Sequence, residues 1–310
     1  MLGNITKENG EKCFLVFNTA CFGDVLLCNS LVQNIKTIFP DSKVIFVVDK
    51  PFADVARCQQ GVDEVVYYDK KGEHKGLFGL FKFVKIFKYI NPYASIITYH
   101  NERNYLISKL LRCKKIVMNK RNQNDKYSVQ EQSARLLNKL ANESIINYPI
   151  KYNVPDAAYK QALELVPDIE SSITVCFTSK KDSKDIPIET GIELIKKING
   201  SGIKVVFTGA GEKARNYAQK LKENGCSFVD MTDKTSIPVL AAMINLSRLL
   251  LTVDTGTMHL GCAVAKKIIA VWYEDITKTA WMPDKRLYNI NIIEDNQTAD
   301  NIFSEIQSCL

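Results

Sequence analysis

Asp24 lies in the stretch Asn18-Thr19-Ala20-Cys21-Phe22-Gly23-Asp24-Val25-Leu26, between an apolar strand pattern and a helical pattern that runs to Phe39. Gly23 lets the backbone turn tightly, and a carboxylate beside such a turn has two uses. It can cap the helix, worth about 1 kcal/mol, or it can take a proton from a substrate hydroxyl. A second turn, Asp254-Thr255-Gly256-Thr257-Met258-His259, follows the apolar run Leu249 to Val253 and precedes the small-residue stretch Leu260 to Ala265. Small hydroxyl residues opening a helix leave N–H groups at its positive end, which suits a diphosphate. The same residues also suit a plain capped helix with His259 half buried.

Three further segments admit a functional and a structural reading. Thr178-Ser179-Lys180-Lys181-Asp182-Ser183-Lys184-Asp185-Ile186-Pro187 carries three lysines that could neutralise a phosphate or simply face solvent. Gly209-Ala210-Gly211-Glu212-Lys213-Ala214 fits Gly-x-Gly-x-x-Ala, with Asp230 nineteen residues past Gly211. It follows the second strand of its domain, whereas dinucleotide folds carry the motif after the first. On a helix over 77–90, Lys82, Lys85 and Lys88 form a stripe on an aromatic and aliphatic surface, as in a basic segment lying on an anionic membrane or in a covering helix with lysines outward. His74, His100 and His259 are far apart, and neither His-x-x-x-His nor Asp-x-Asp occurs. A site without metal ligands must stabilise a leaving diphosphate by lysine, hydroxyls and helix dipole, so neither a metal nor a cofactor is expected.

The elements that position these turns follow a βα rhythm. Strand patterns fall at 13–17, 43–48, 62–67, 94–99 and 114–118, then at 173–177, 203–207, 226–229, 248–253 and 267–272, with helical patterns between and a last helix near 298–309. Asn147 to Pro167, with three prolines, reads as a linker around a helix. The expectation is two Rossmann-like domains, 1–155 and 156–310, facing across a cleft, with the chemistry at the carboxyl ends of the strands.

At 310 residues the chain has room for two cores. Hydrophobic residues make up 46% and charged residues 24%, which argues against bulk disorder. No apolar run reaches the roughly 18 residues of a membrane span, and the N-terminal segment lacks the apolar stretch of a secretion signal, so a cytoplasmic location is expected. The nine scattered cysteines read as free thiols. Residues 70–126 hold 14 Lys/Arg against three acidic residues. That region accounts for the whole net charge of +7 and marks a surface for anions: nucleic acid, phospholipid or an acidic substrate.

Taken together the turns resemble glycosyltransferase family 9, the ADP-heptose:lipopolysaccharide heptosyltransferases. The resemblance rests on Gly23-Asp24-Val25-Leu26, on Lys36-Thr37-Ile38-Phe39-Pro40 before the strand at Lys43, and on Asp254-Thr255-Gly256-Thr257-Met258-His259. It extends to Lys184 three residues before Pro187, with Ile186 where the family usually has tryptophan. It implies a GT-B fold and an inverting, metal-independent transfer from an ADP-sugar. Asp24 would be the general base, Gly23 and His100 would lie on the acceptor side, and His100 would be the next candidate base. Thr178, Ser179, Lys184, Glu212, Asp254, Thr255, Gly256, Thr257 and His259 would hold the donor. The implied acceptor is an acidic lipid-linked core oligosaccharide at the inner face of the inner membrane, with no nucleic-acid partner. Two alternatives remain: an NAD-dependent oxidoreductase resting on Gly209 to Ala214, and a non-enzymatic protein binding an anionic surface through residues 70–126.

Overall fold

Strand β1, Lys12–Asn18, is buried at every position but its first, as a strand covered by helices on both faces requires. In this computed structural model, which describes residues 11–120, 126–274 and 278–310, it forms the centre of a parallel sheet in the first of two units, Met1–Asn153 and Val154–Leu310. The other strands of that sheet are β2 Ser42–Asp49, β3 Glu64–Tyr68, β4 Ala94–Ile97 and β5 Lys115–Met118, in the order β3-β2-β1-β4-β5. The helices are α1 Phe22–Leu27, α2 Asn29–Ile38, α3 Ala53–Arg57, α4 Gly76–Lys85, α5 Glu102–Leu110 and α6 Val129–Arg135. Leu15, Phe17, Ile45, Val47, Phe83 and Phe87 are among the residues of one of its cores.

The second unit repeats the plan. Its strands are β6 Ser172–Cys176, β7 Lys204–Phe207, β8 Val229–Asp230, β9 Leu249–Val253, β10 Ile268–Val271 and β11 Ile290–Ile293, in the order β11-β10-β9-β6-β7-β8. Its helices are α7 Asp156–Leu165, α8 Ile188–Gly200, α9 Glu212–Glu223, α10 Ile237–Leu246, α11 Gly256–Val264, α12 Lys278–Trp281 and α13 Ala299–Cys309. Every pairing in both sheets is parallel.

The expected rhythm is present, with four differences. The first helix does not run unbroken to Phe39: it turns at Cys28, whose thiol lies 3.2 Å from the Asp24 carbonyl and receives the Asn18 amide at 3.2 Å. The helix expected over 77–90 ends at Lys85, and Lys88 lies in the turns beyond it. The strand expected at 226–229 shrinks to Val229–Asp230. β11 is absent from the strand patterns of the sequence. Among the described residues no helix is long and apolar enough to cross a membrane.

Two glycines test the packing with opposite signs. A Cβ on Gly79, inside α4, would lie 2.2 Å from the His74 carbonyl carbon, whereas one on Gly200, at the end of α8, would meet nothing within 4 Å. Overpacking costs about 1–3 kcal/mol, which exceeds the gain of about 1 kcal/mol from replacing a helical glycine. Urea unfolding should therefore show Gly79→Ala less stable than wild type and Gly200→Ala more stable by about 0.4–1 kcal/mol. Equal stabilities would contradict this packing.

Candidate active site

In each unit the chain winds outward from a central strand to one edge and then returns to build the other side. Strand order therefore reverses between β1 and β4 in the first unit and between β6 and β9 in the second. Crossover helices diverge there, and the carboxyl ends of the two strands are left open for ligands. The candidate residues other than Glu212 lie at these two places.

In the first unit Asn18 ends β1 and organises the turn. Its side-chain nitrogen lies 3.1 Å from the Asp24 carbonyl and 3.0 Å from Thr98 Oγ1, just past β4, and its side-chain oxygen accepts the Ala20 N–H at 3.1 Å. Thr98 Oγ1 donates back to the Phe17 carbonyl. Thr19 is fixed from the far side by Asn104 of α5, at 3.2 Å. The scaffold presents Asp24 in the first turn of α1, 8% exposed. Cys21 occupies the N-cap position, so the capping role considered for Asp24 is not the one it has. A carboxylate in the first turn still interacts favourably with the helix dipole. Gly23 is buried next to it. His100 follows β4, is half exposed, and pairs with Glu102 at 3.1 Å.

In the second unit the strand register sets four turns side by side. Cys176 of β6 is level with Thr252 of β9, and Val253 of β9 with Val271 of β10; Val175 of β6 is level with Phe207 of β7. The loop after β6 is stitched at its base, where the Ile186 N–H donates to the Phe177 carbonyl and the Tyr217 hydroxyl donates to the Ile186 carbonyl, both at 3.0 Å. Ile186 is buried in the core and anchors the loop. At the loop's crown the Ser179 N–H donates to Asp185 at 2.6 Å. Lys213 of α9 reaches Asp182 at 2.7 Å and Asp185 at 2.9 Å. Partial burial opposes its charge, yet these two carboxylates hold its pKa above the ordinary lysine value.

Lys184 does not face solvent. Its ammonium is paired with Asp254, the side chains being 12% and 8% exposed, and lies 3.8 Å from Glu274. Lys181 is 64% exposed, 3.6 Å from the same Glu274. Ser183 donates to Glu274, and that bond, with the charges of Lys184 and Lys181, holds the Glu274 carboxyl below its ordinary range. Thr255 is the N-cap of α11 but makes no side-chain capping bond, and Gly256 opens the helix. The Thr255 side chain therefore does not close the start of the helix. Thr178, Thr257 and His259 are buried around it, the His259 ring 6.3 Å from Trp281. A fixed cation, hydroxyls and a helix start thus share one strand-end cluster, a combination suited to an anion.

Glu212 stands apart, exposed at the first position of α9. The Gly-x-Gly-x-x-Ala segment has a packing explanation: a Cβ on Gly209 would lie 2.6 Å from Ala214 Cβ, and Gly211 adopts φ +84°. Sequence reasoning missed Glu274 and Lys213. Glu274 follows the carboxyl end of β10, so the same strand-to-helix rule applied to that turn would have found it.

No curated protein matches the chain. Solved structures do. One is a family 9 glycosyl transferase from Veillonella parvula, 20% identical, TM-score 0.82, covering 98% of this chain and 93% of that one. Others are the E. coli heptosyltransferase WaaC with ADP, 19% identical, TM-score 0.75, covering 96% and 100%, and E. coli ADP-heptose lps heptosyltransferase II, 12% identical, TM-score 0.78, covering 96% and 98%. These likenesses establish the GT-B fold class. The family model for glycosyltransferase family 9 (heptosyltransferase) matches residues 112–304, more than half of the sequence. The chain therefore belongs to glycosyltransferase family 9 and is a glycosyltransferase, which sets aside the dinucleotide-dependent oxidoreductase and the non-enzymatic binding protein.

Proposed function

We propose that the protein transfers a heptose or related sugar from an ADP-sugar to a hydroxyl of a lipopolysaccharide core acceptor, with inversion and without a metal ion. The observation that carries this reading is the pairing of Lys184 with Asp254 beside the start of α11, in a chain of this family. The E. coli relative solved with ADP supports the choice of nucleotide. The second unit binds the donor, with Lys184, Thr178, Ser179, Asp254, Thr255, Gly256, Thr257 and His259 around the diphosphate and sugar and Glu212 toward the nucleoside. The first unit binds the acceptor near Gly23 and His100. Asp24 takes the acceptor proton as the hydroxyl oxygen forms its bond to the anomeric carbon. The bond from that carbon to the diphosphate breaks, and ADP leaves with the electron pair. Its developing charge is met by the Lys184 ammonium and the N–H groups of Thr255 to Thr257. A lipid-linked acceptor places the reaction at the inner face of the inner membrane, with the protein peripheral to it.

Three measurements test this reading. ADP titrated calorimetrically in EDTA should bind, and transfer should persist in EDTA; turnover that collapses in chelator and returns with magnesium would refute the metal-free site. Lys184→Ala removes a charge-assisted contact worth about 1.5–3 kcal/mol, so ADP affinity should fall by about tenfold or more. Lys180→Ala and Lys181→Ala should change it far less, and equal small effects at all three lysines would return the loop to solvent. Asp24→Asn should retain ADP affinity and lose at most about 1 kcal/mol of stability through the helix dipole. Its kcat should fall by at least about a hundredfold. A variant that keeps most of its transfer activity would shift the search for the base to His100.

A further inference from the structure

Helix α4 has two sides of opposite character. Leu80 and Phe83 are buried against the core of the first unit. On the other side Leu77 is 72% exposed, Phe78 93% and Phe81 53%. At about 100° per residue, Leu77, Phe81, Lys85, Phe78 and Lys82 follow one another around a single arc of about 140°. Lysines and large apolar side chains therefore interleave on one face instead of segregating.

The start of α4 is held by its neighbours. Arg103 of α5 donates to the Gly76 carbonyl at 2.8 Å and to the His74 carbonyl at 2.9 Å, clipping the start of α4. His74 is itself buried, its Nδ1 accepting the Asp69 N–H at 3.0 Å and its ring stacked on Tyr68. Gly79 lies directly against the His74 backbone. Burial drives the His74 pKa below its ordinary value, in keeping with a structural residue. The exposed crest is thus not a frayed end. Around it Lys75 is exposed at the N-cap, Lys82 pairs with Glu73 at 3.1 Å, and Lys88 and Tyr89 continue the exposed surface past Lys85.

Contiguous apolar side chains left in water mark an interaction surface, and the surrounding charge selects the partner. Residues 70–126 carry 14 basic against three acidic residues. A bilayer with anionic headgroups takes both features at once: the apolar side chains enter the boundary between headgroups and acyl chains while the lysines stay among the phosphates. We propose that the outer face of α4 inserts Leu77, Phe78 and Phe81 into an anionic phospholipid bilayer, with Lys82, Lys85 and Lys88 at the headgroups. The lysine stripe alone accounts only for attraction that salt removes; the crest adds a component that salt leaves in place. The surface agrees with the proposed lipid-linked acceptor but is tested without it.

The test uses the full chain and vesicles of phosphatidylglycerol and phosphatidylcholine that contain no acceptor. Phe78→Trp should shift its emission to the blue on these vesicles and be quenched by brominated acyl chains. Part of the sedimentation of wild type should survive about 1 M salt, where the Debye length falls to about 3 Å. Phe78→Ser/Phe81→Ser should lower partitioning by about tenfold or more and leave transfer to a detergent-dispersed acceptor unchanged. Insertion that persists in a protein found to transfer nothing would uphold this surface while refuting the transfer reading. A tryptophan at 78 that neither shifts nor is quenched would overturn the proposal. So would a double variant that sediments like wild type, or a crest covered instead by a second copy, seen as a dimer that the double variant abolishes.

Discussion

Parallel strands joined by right-handed crossovers cannot be laid down in sequence order from one edge and still open a crevice. Both units start on a central strand, wind out to one side and return to build the other, and that reversal determines where polar side chains can gather. Crossover helices diverge from such a junction. In each unit a side-chain bond spans it: Asn18 to Thr98 across β1 and β4, and Lys184 to Asp254 across β6 and β9.

The two bonds differ in kind. The Asn18 link is neutral and fully buried, so it fixes backbone at about 1 kcal/mol per bond and offers nothing to a ligand. The Lys184 link is ionic. Taking an ammonium and a carboxylate out of water costs several kcal/mol each, and a well-packed apolar pair is often as stable. Here two carboxylates, Asp254 and Glu274, surround one mostly buried ammonium. Under the proposed transfer a diphosphate competes with both for Lys184, and interactions that strengthen as charge develops on the leaving group gain most.

Much of the frame was legible because periodicity carries it. The runs CFLVF, ITVCF and RLLLTV are too apolar for anything but covered strands, and their turns carried the motif residues. What escaped depended on tertiary context. Ile290–Ile293 is four residues long, half of them only partly buried, and becomes a strand because β10 offers it an edge. At the break the Cys28 thiol meets Asn18, ten residues away in sequence, a contact that leaves no mark in helical spacing. Lys88 falls off the lysine stripe because the 76–85 helix ends before it. Glu274 belongs to no motif: the strand-to-helix rule marks its turn, and the register that sets β10 beside β9 makes it a neighbour of Lys184.

Glycine-rich segments show why motif and role separate. Gly209 and Gly211 read as a nucleotide fingerprint by spacing, yet one makes room for Ala214 and the other takes a left-handed φ at the start of α9. Gly261 was part of a merely small stretch, and it bears more directly on the site. A Cβ there would lie 2.4 Å from Leu250 of β9 and 3.4 Å from Ile268 of β10, so its absence lets α11 settle onto those strands. The height of that helix above the sheet sets where its first N–H groups stand relative to Asp254 and Lys184. A side chain at 261 would have to displace Leu250 or the helix itself, so the close seating of α11 on the sheet rests on Gly261.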